Sequence, residues 1–342
     1  MPANFPFNGY DNEVLENQIK SVLDTKLDIN RFMTPDYSLE GTDGLKVVIH
    51  TYKGAGDAED LARGEGNSEF ITSAYESKEY VINRTQAQTR YYDIDAYNDS
   101  KLIESQLQTL AESMVNNWTR KAVGEMMKSE NVIACTNYDL ADFADAISFY
   151  ANQYEDQSGL FFLASMDMVP VLRKSLGAYL MYTEDYIRSG ALGSILGVPV
   201  FTSKAVPANT IIMATREAVT AFQKTGVQVE SDHDIDTKEN RVVASRYAVI
   251  ALTDETRCAV LGTAQETALT AVADVSEGTI AGAATDGAVV VAYDANGTVL
   301  GRATASSDSY SIAAEFAVGD KIKVVATLDG CLNEYAHIEA VA

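Results

Sequence analysis

Apolar residues at Ile103, Leu107, Leu110, Met114, Trp118, Ala122 and Met126 recur in steps of three and four. That spacing puts one continuous stripe on a helix of about 28 residues, about 42 Å long. Asp99 or Ser100 stands where a cap belongs, and Glu104, Gln108, Glu112, Asn116 and Arg120 fall on the opposite face. A second helix is expected over residues 139–154, with Phe143, Ile147 and Tyr150 or Tyr154 inward. The unbroken apolar run 160–164 predicts a buried strand, and Ser165 is placed to cap a short helix through Lys174.

Beyond it the chain turns to strands. The run GALGSILGVPVF (190–201) is a glycine turn delivering a strand that Pro199 confines to an edge or a strand start. Residues 211–214 form another strand, 227–230 and 242–252 a hairpin around an acidic turn, and 258–261 a closing strand. Helices and strands mix without βαβ regularity, so the class is α+β.

Upstream, residues 1–38 form an extended or partly helical arm, with weak helical spacing over 13–27. KVVIHTY (46–52) is β-rich. Gly54, Gly56, Gly64 and Gly66 then punctuate a loop carrying Asp57, Glu59, Asp60 and Glu65, and strands resume at 78–84 and 90–95. The whole excursion from 44 to 95 has few large apolar residues. As a two-stranded ribbon it would be marginal alone and needs another surface to lie on.

Composition changes near residue 264. All six prolines, all nine methionines and the only tryptophan precede it. The following 78 residues are rich in Ala, Val, Thr, Gly and Asp, with Arg302, Lys321 and Lys323 as the only bases. This tail is patterned as all-β. Residues 288–293 and 298–304 flank Asn296-Gly297, a strong hairpin signal that, as a two-residue turn, sets Tyr293 opposite Leu300. The run 321–328 alternates, with Ile322, Val324, Ala326 and Leu328 inward, which suggests a small β-sandwich.

Charge narrows the function classes. Forty-nine acids against 26 bases leave −23, which disfavours electrostatic attraction to nucleic acid or to an anionic membrane. No basic n-region or apolar h-region opens the chain, and no apolar run approaches the roughly 20 residues of a membrane span, so we expect it to be soluble and intracellular when made. Cys135, Cys258 and Cys331 form neither a disulfide framework nor a zinc pattern.

The catalytic motifs are missing. Gly54-Ala55-Gly56 lacks the third glycine of a dinucleotide loop, and no phosphate loop, nucleophile elbow or His-Glu-x-x-His is present. Asp93, Asp95 and Asp99 with Glu104, and separately Asp232, Asp234 and Asp236, have calcium-loop offsets. Asn98 and Thr237 stand where the sharp turn needs glycine, however, so we read both groups as solvated turn or cap acids. His50 and His233 are read as surface residues, His337 has no evident partner, and Cys135 is read as a small core or loop residue. No catalytic, cofactor or metal residue is assigned, and no enzyme activity is expected.

The order of these elements carries a resemblance. A polar arm, a long two-stranded loop, a spine helix and a mixed domain with a returning strand resemble the major capsid proteins of tailed bacteriophages, the Hong Kong 97 fold. LFFLASMDMVPVLRK (160–174), GSILGVPVFTS (193–203) and VESDHDIDTKENRVVASRYAVIAL (229–252) are similar to that family's A-domain segments. The tail, with DANGTVLGRATA (294–305) and VGDKIKVVATLDG (318–330), is similar to bacterial immunoglobulin-like domains.

The resemblance implies a capsid-fold domain over 1–264: an arm 1–38, an extended loop 39–97, a spine helix 98–128 and an A domain over about 150–250. An immunoglobulin-like domain over 265–342 would be displayed outside. It implies a virion protein made in the host cytoplasm that self-assembles into hexamers and pentamers and encloses DNA without reading its sequence. With Met1 opening directly on the arm, it further implies a separate scaffolding protein, and a portal. Weak attachment to bacterial surface glycans is one role for the tail, and a plain spacer is another. Lys46 and Lys53 lie in the loop region where some relatives crosslink, but no partner asparagine is evident. An encapsulin-like compartment shell shares the fold and is the alternative; a cell-surface immunoglobulin-like binding protein is a weaker one.

Overall fold

The computed structural model describes residues 29–40, 44–55, 72–98, 100–152, 154, 159–176 and 193–342. The expected helix at 13–27 and the candidate cap Asp99 lie outside them. After a 3-10 turn at Ile29–Phe32 come strands β1 (Thr34–Asp36), β2 (Lys46–Ala55), β3 (Thr72–Val81) and β4 (Asn83–Tyr92), then helices α1 (Asp93–Asn98) and α2 (Ser100–Met126). The middle of the chain forms β5 (Val132–Ala134), α3 (Leu140–Ala151), β6 (Leu160–Ser165), α4 (Met168–Ser175), β7 (Ser194–Ile195), β8 (Val198–Ser203) and β9 (Thr210–Thr215). It continues with β10 (Val219–Gln223), β11 (Gln228–Asp234), β12 (Glu239–Leu252) and β13 (Cys258–Gly262). The tail supplies β14 (Val272–Asp274), β15 (Thr279–Ala283), β16 (Val289–Tyr293), β17 (Val299–Thr304), β18 (Ser309–Ala313), β19 (Lys321–Thr327) and β20 (Glu334–Glu339).

Two units result: residues 1–125 with 217–254, and residues 126–216 with 255–342. In the first, β12 is the central strand. One edge carries β4; the other carries β11 along its first half and β10 along its second, with β1 parallel to β10. All seven residues of the predicted α2 stripe are buried. Ile103, Leu107, Leu110 and Met114 pack with Tyr91, Val229, Val242 and Ala244 of the sheet. Burying such a stripe, rather than helix propensity, is what stabilises a long helix in water.

Residues 217–254 belong to the unit of the long helix. Strands β10 to β12 pair with β1 and β4 in the unit of the long helix, because Val229, Val242 and Ala244 complete the surface that its stripe needs. The ribbon is shorter than expected. β4 leaves it at Ile82, a buried residue, and pairs with β12 from Asn83 to Tyr92; Asp93 then starts a helix rather than extending a strand. The polar alternation of 83–89 concealed a strand whose strength lies in its ladder.

The second unit is built on a six-stranded sheet in the order β5-β13-β9-β6-β8-β7. Every residue of β6, β9 and β13 is buried, the mark of a sheet covered on both faces. Phe143, Ala146 and Tyr150 of α3 and Met168 and Leu172 of α4 pack into one core with it. Asp139 caps α3 through its side chain, accepting from the amides of Ala141 and Asp142 at 2.9 and 3.1 Å. Helix α4 begins after Asp167, not Ser165, whose hydroxyl instead accepts from the Asp167 amide.

The tail forms two antiparallel sheets, β14-β15-β18 and β17-β16-β19-β20. Ala273, Ile280, Tyr310 and Ile312 from one meet Val290, Ala292, Ile322, Val324 and Ala326 from the other in a separate core. The predicted hairpin register is off by one: Tyr293 pairs with Val299, with an irregularity at Ala292/Tyr293. Asp294 causes this, since its carboxylate accepts from the amides of Asn296 and Thr298 at 2.9 and 2.7 Å and so builds a longer turn, with Gly297 at φ +82°.

The tail is fastened to the preceding sheet of its unit. Leu332 donates its amide to Thr263 O at 2.8 Å, and Gln265 Nε2 donates to the carbonyls of Ala326 and Leu332 at 3.1 and 2.8 Å. Gly262 lets Leu332 approach: a Cβ there would lie 2.9 Å from Leu332 Cδ2.

Candidate assembly surfaces

The ribbon pairs β2 with β3 in an unbroken antiparallel register from Lys46↔Val81 to Ala55↔Thr72. Ten residues per strand span about 33 Å. Among the described residues neither strand joins a larger sheet. At the base, Ile82 donates its amide to Leu45 O at 2.7 Å and Lys224 Nζ reaches Gly44 O at 2.5 Å. Lys46 and Glu79 form a diagonal ion pair across the strands, worth little at such exposure. Leu45, Val48 and Val81 stay about half exposed, at 48%, 52% and 48%. A two-stranded sheet with open apolar positions gains its stability from a further surface, which the described residues do not supply.

The residues weighed for metal binding do not assemble into a site. Asp93 accepts from Asn240 Nδ2 at 2.6 Å and Asp95 from the Tyr92 amide at 3.4 Å; Asp99 and the Glu104 side chain lie outside the described residues. Asp234 accepts from the amides of Asp236 and Thr237 at 2.9 and 3.4 Å, which lowers its pKa as turn-capping does. Among the described residues no group of three or more His, Cys, Asp or Glu could hold a metal, and no helix is long and apolar enough to cross a membrane. His233 Nδ1 lies 2.9 Å from Asn240 Oδ1, and the side chains of His50 and Lys53 are outside the described residues. Cys135 is buried. Burial first, then Asp142, Asp139 and Asp145, raise its thiol to about 12, the opposite of a reactive cysteine.

Two clusters went unseen in the sequence. His337 does have a partner: its Nε2 lies 2.7 Å from Glu130 Oε2, while Lys323 pairs with Glu130 Oε1, and its ammonium sits 4.9 Å from the Tyr335 ring centroid. Burial raises the Glu130 carboxyl, but hydrogen bonds from Lys323 and His337 outweigh it and leave the pKa below its ordinary value. The other cluster is Arg246, whose guanidinium carbon stands 3.8 Å from the centroid of the Trp118 ring. Trp118 Nε1 donates to Asn30 Oδ1 at 3.1 Å. Strand alternation predicts the side of Arg246 but not the helix residue it meets.

Comparison with known proteins places this architecture. No family model matches the chain. The major capsid protein of Staphylococcus phage phiMR11 is 24% identical over 250 residues, 72% of this chain and 90% of that protein. Among solved structures, the capsid of an empty GTA particle matches with a TM-score of 0.55 at 12% identity, covering 69% of this chain and 95% of that one. A Mycobacterium phage Che8 structure matches at 0.54 and 15%, covering 66% and 88%. An encapsulin of Synechococcus elongatus PCC 7942 matches at 0.50 and 14%, covering 68% and 86%. The chain has the Hong Kong 97 fold of phage capsids, with a two-sheet β tail.

Proposed function

We propose that the chain is the major capsid protein of a tailed bacteriophage, a structural subunit of the virion whose activity is assembly with further copies of itself. The observation that carries this is a β2–β3 ribbon that joins no larger sheet among the described residues, on a Hong Kong 97 fold. It is supported by a relative of that name aligned over nine-tenths of its length. In the shell the ribbon lies over a neighbouring copy and buries Leu45, Val48 and Val81, while α2 serves as a strut. The copies form hexamers and pentamers that close an icosahedral head around DNA held without sequence readout; a scaffolding protein and a portal are the partners such assembly calls for. The tail has a hydrophobic core of its own, which supports reading it as a domain displayed outside.

The test is negative-stain electron microscopy with light scattering on the full chain, alone and with the neighbouring viral genes supplied. Uniform hollow particles, or five- and six-membered rings, are expected. A strict monomer under both conditions overturns the reading. The encapsulin fold match favours a second reading, a compartment shell, which predicts a packaged enzyme in place of DNA inside purified particles.

A further inference from the structure

The helix–sheet layer of the first unit is apolar from Tyr91 and Ile103 to Ala244 and Met114, and then it ends in charge. Two residues on from Ala244 along β12, Arg246 sits opposite Thr85 of β4 and covers the Trp118 ring. Lys121 of α2 donates to Thr85 Oγ1 at 2.6 Å. Two cations therefore share one corner. Burial pushes the Arg246 guanidinium down to about 10, with Tyr37 acting the other way. Burial first, and then Arg246 itself, lower the Lys121 ammonium. Among the described residues no carboxylate acts on either.

Two buried polar atoms in this corner, Arg246 Nε and Asn117 Oδ1, have no hydrogen-bond partner among the described residues. Both residues line a pocket walled by Met114, Val115 and Val227, with a cavity volume of about 20 Å³. That volume takes one small polar group. A buried guanidinium N–H left unpaired is costly, and an acceptor brought to it recovers much of that cost. A carboxylate suits the guanidinium fork, and a half-turn of the Asn117 amide adds a second kind of donor.

We propose that this pocket is a socket for one carboxylate, supplied in the assembled shell by an acidic side chain of a second copy of the chain. The apolar walls fit the methylene stem of a side chain better than a free inorganic anion. With 49 acids to 26 bases, each copy brings carboxylates in excess of its own cations. The donor's identity rests on the shell reading above; the socket does not.

Trp118 is the only tryptophan, so its emission reports the pocket directly. Unassembled full-length subunits would be titrated at constant ionic strength with acetate and, in parallel, with neutral acetamide. Acetate is expected to shift Trp118 emission saturably and acetamide to leave it unchanged. Arg246→Gln should raise the half-saturating acetate concentration about tenfold, and Lys121→Gln, at an exposed position that tolerates change, about threefold. Assembled particles should already show the acetate-saturated emission and no longer respond.

Acetate and acetamide acting alike, or both variants titrating as the parent does, would overturn the socket. Particles that respond as free subunits do would overturn the second-copy donor. A chain that forms no particles defeats the shell reading and that donor together, while the subunit titration still decides the socket.

Discussion

The ribbon and the tail are both antiparallel β-structure, yet they solve the burial problem in opposite ways. The tail sets two sheets face to face, so that Ile322, Val324 and Ala326 meet Ile280 and Ile312 within one chain. The ribbon has two strands, no second layer among the described residues, and half-exposed Val48 and Val81. A sandwich carries its stability with it, whereas a ribbon borrows stability from what it touches. The first suits a module that keeps its shape wherever it is attached, and the second suits a segment whose final contacts lie on another molecule.

The strongest way to break this contrast is to remove one region at a time. Deleting residues 54–66 should abolish stable shells, seen as loss of particle scattering, while circular dichroism still reports folded helices and sheets. Truncation after residue 264 should leave particles in place. Shells that survive the first change, or vanish with the second, would reverse the roles assigned here.

A finer version compares single side chains. Ile322→Ala removes a residue that is 2% exposed, and should destabilise the tail by about 2–4 kcal/mol in denaturant melts without affecting assembly. Val48→Ala should change subunit stability by less than about 0.5 kcal/mol and instead lower the denaturant concentration at which particles come apart.

The smallest effect concerns the fastening of the tail. The Glu130 pKa is lowered in the folded chain from an ordinary 4.5. The carboxylate therefore contributes stability that is fully present above that value and is lost as pH falls through the lowered one. Glu130→Gln should flatten the acid side of the tail's pH–stability curve below about pH 4.5. At neutral pH it should cost only about 0.5 kcal/mol, because the pair is part-exposed.

Elements with a strong local period were legible in the sequence. The seven stripe residues of α2 and the inward set of β19 needed only three-and-four or alternate spacing, and Asp139 announced α3 by its position. What the sequence concealed was pairing between distant segments. Nothing near Arg90 says that it faces Arg241, nor does anything near Glu130 point to Lys323 and His337. The Asn296-Gly297 turn failed for a local reason, since Asp294 offered the backbone a better acceptor than a two-residue turn provides. The Arg246 corner was hidden because a charged residue in strand alternation is usually read as a solvated one.

Ile82 has a mechanical consequence. It is the only residue between β3 and β4, and β4 then runs for ten register pairs beside β12. Tension on the ribbon that runs in line with β4 loads this ladder parallel to the strand axis. A ladder loaded in that direction cannot be unzipped pair by pair; its bonds share the load and must yield together. The ribbon can therefore be soft in bending at its base and still transmit a pull into the sheet as a tether does, yielding in shape before it yields in strength.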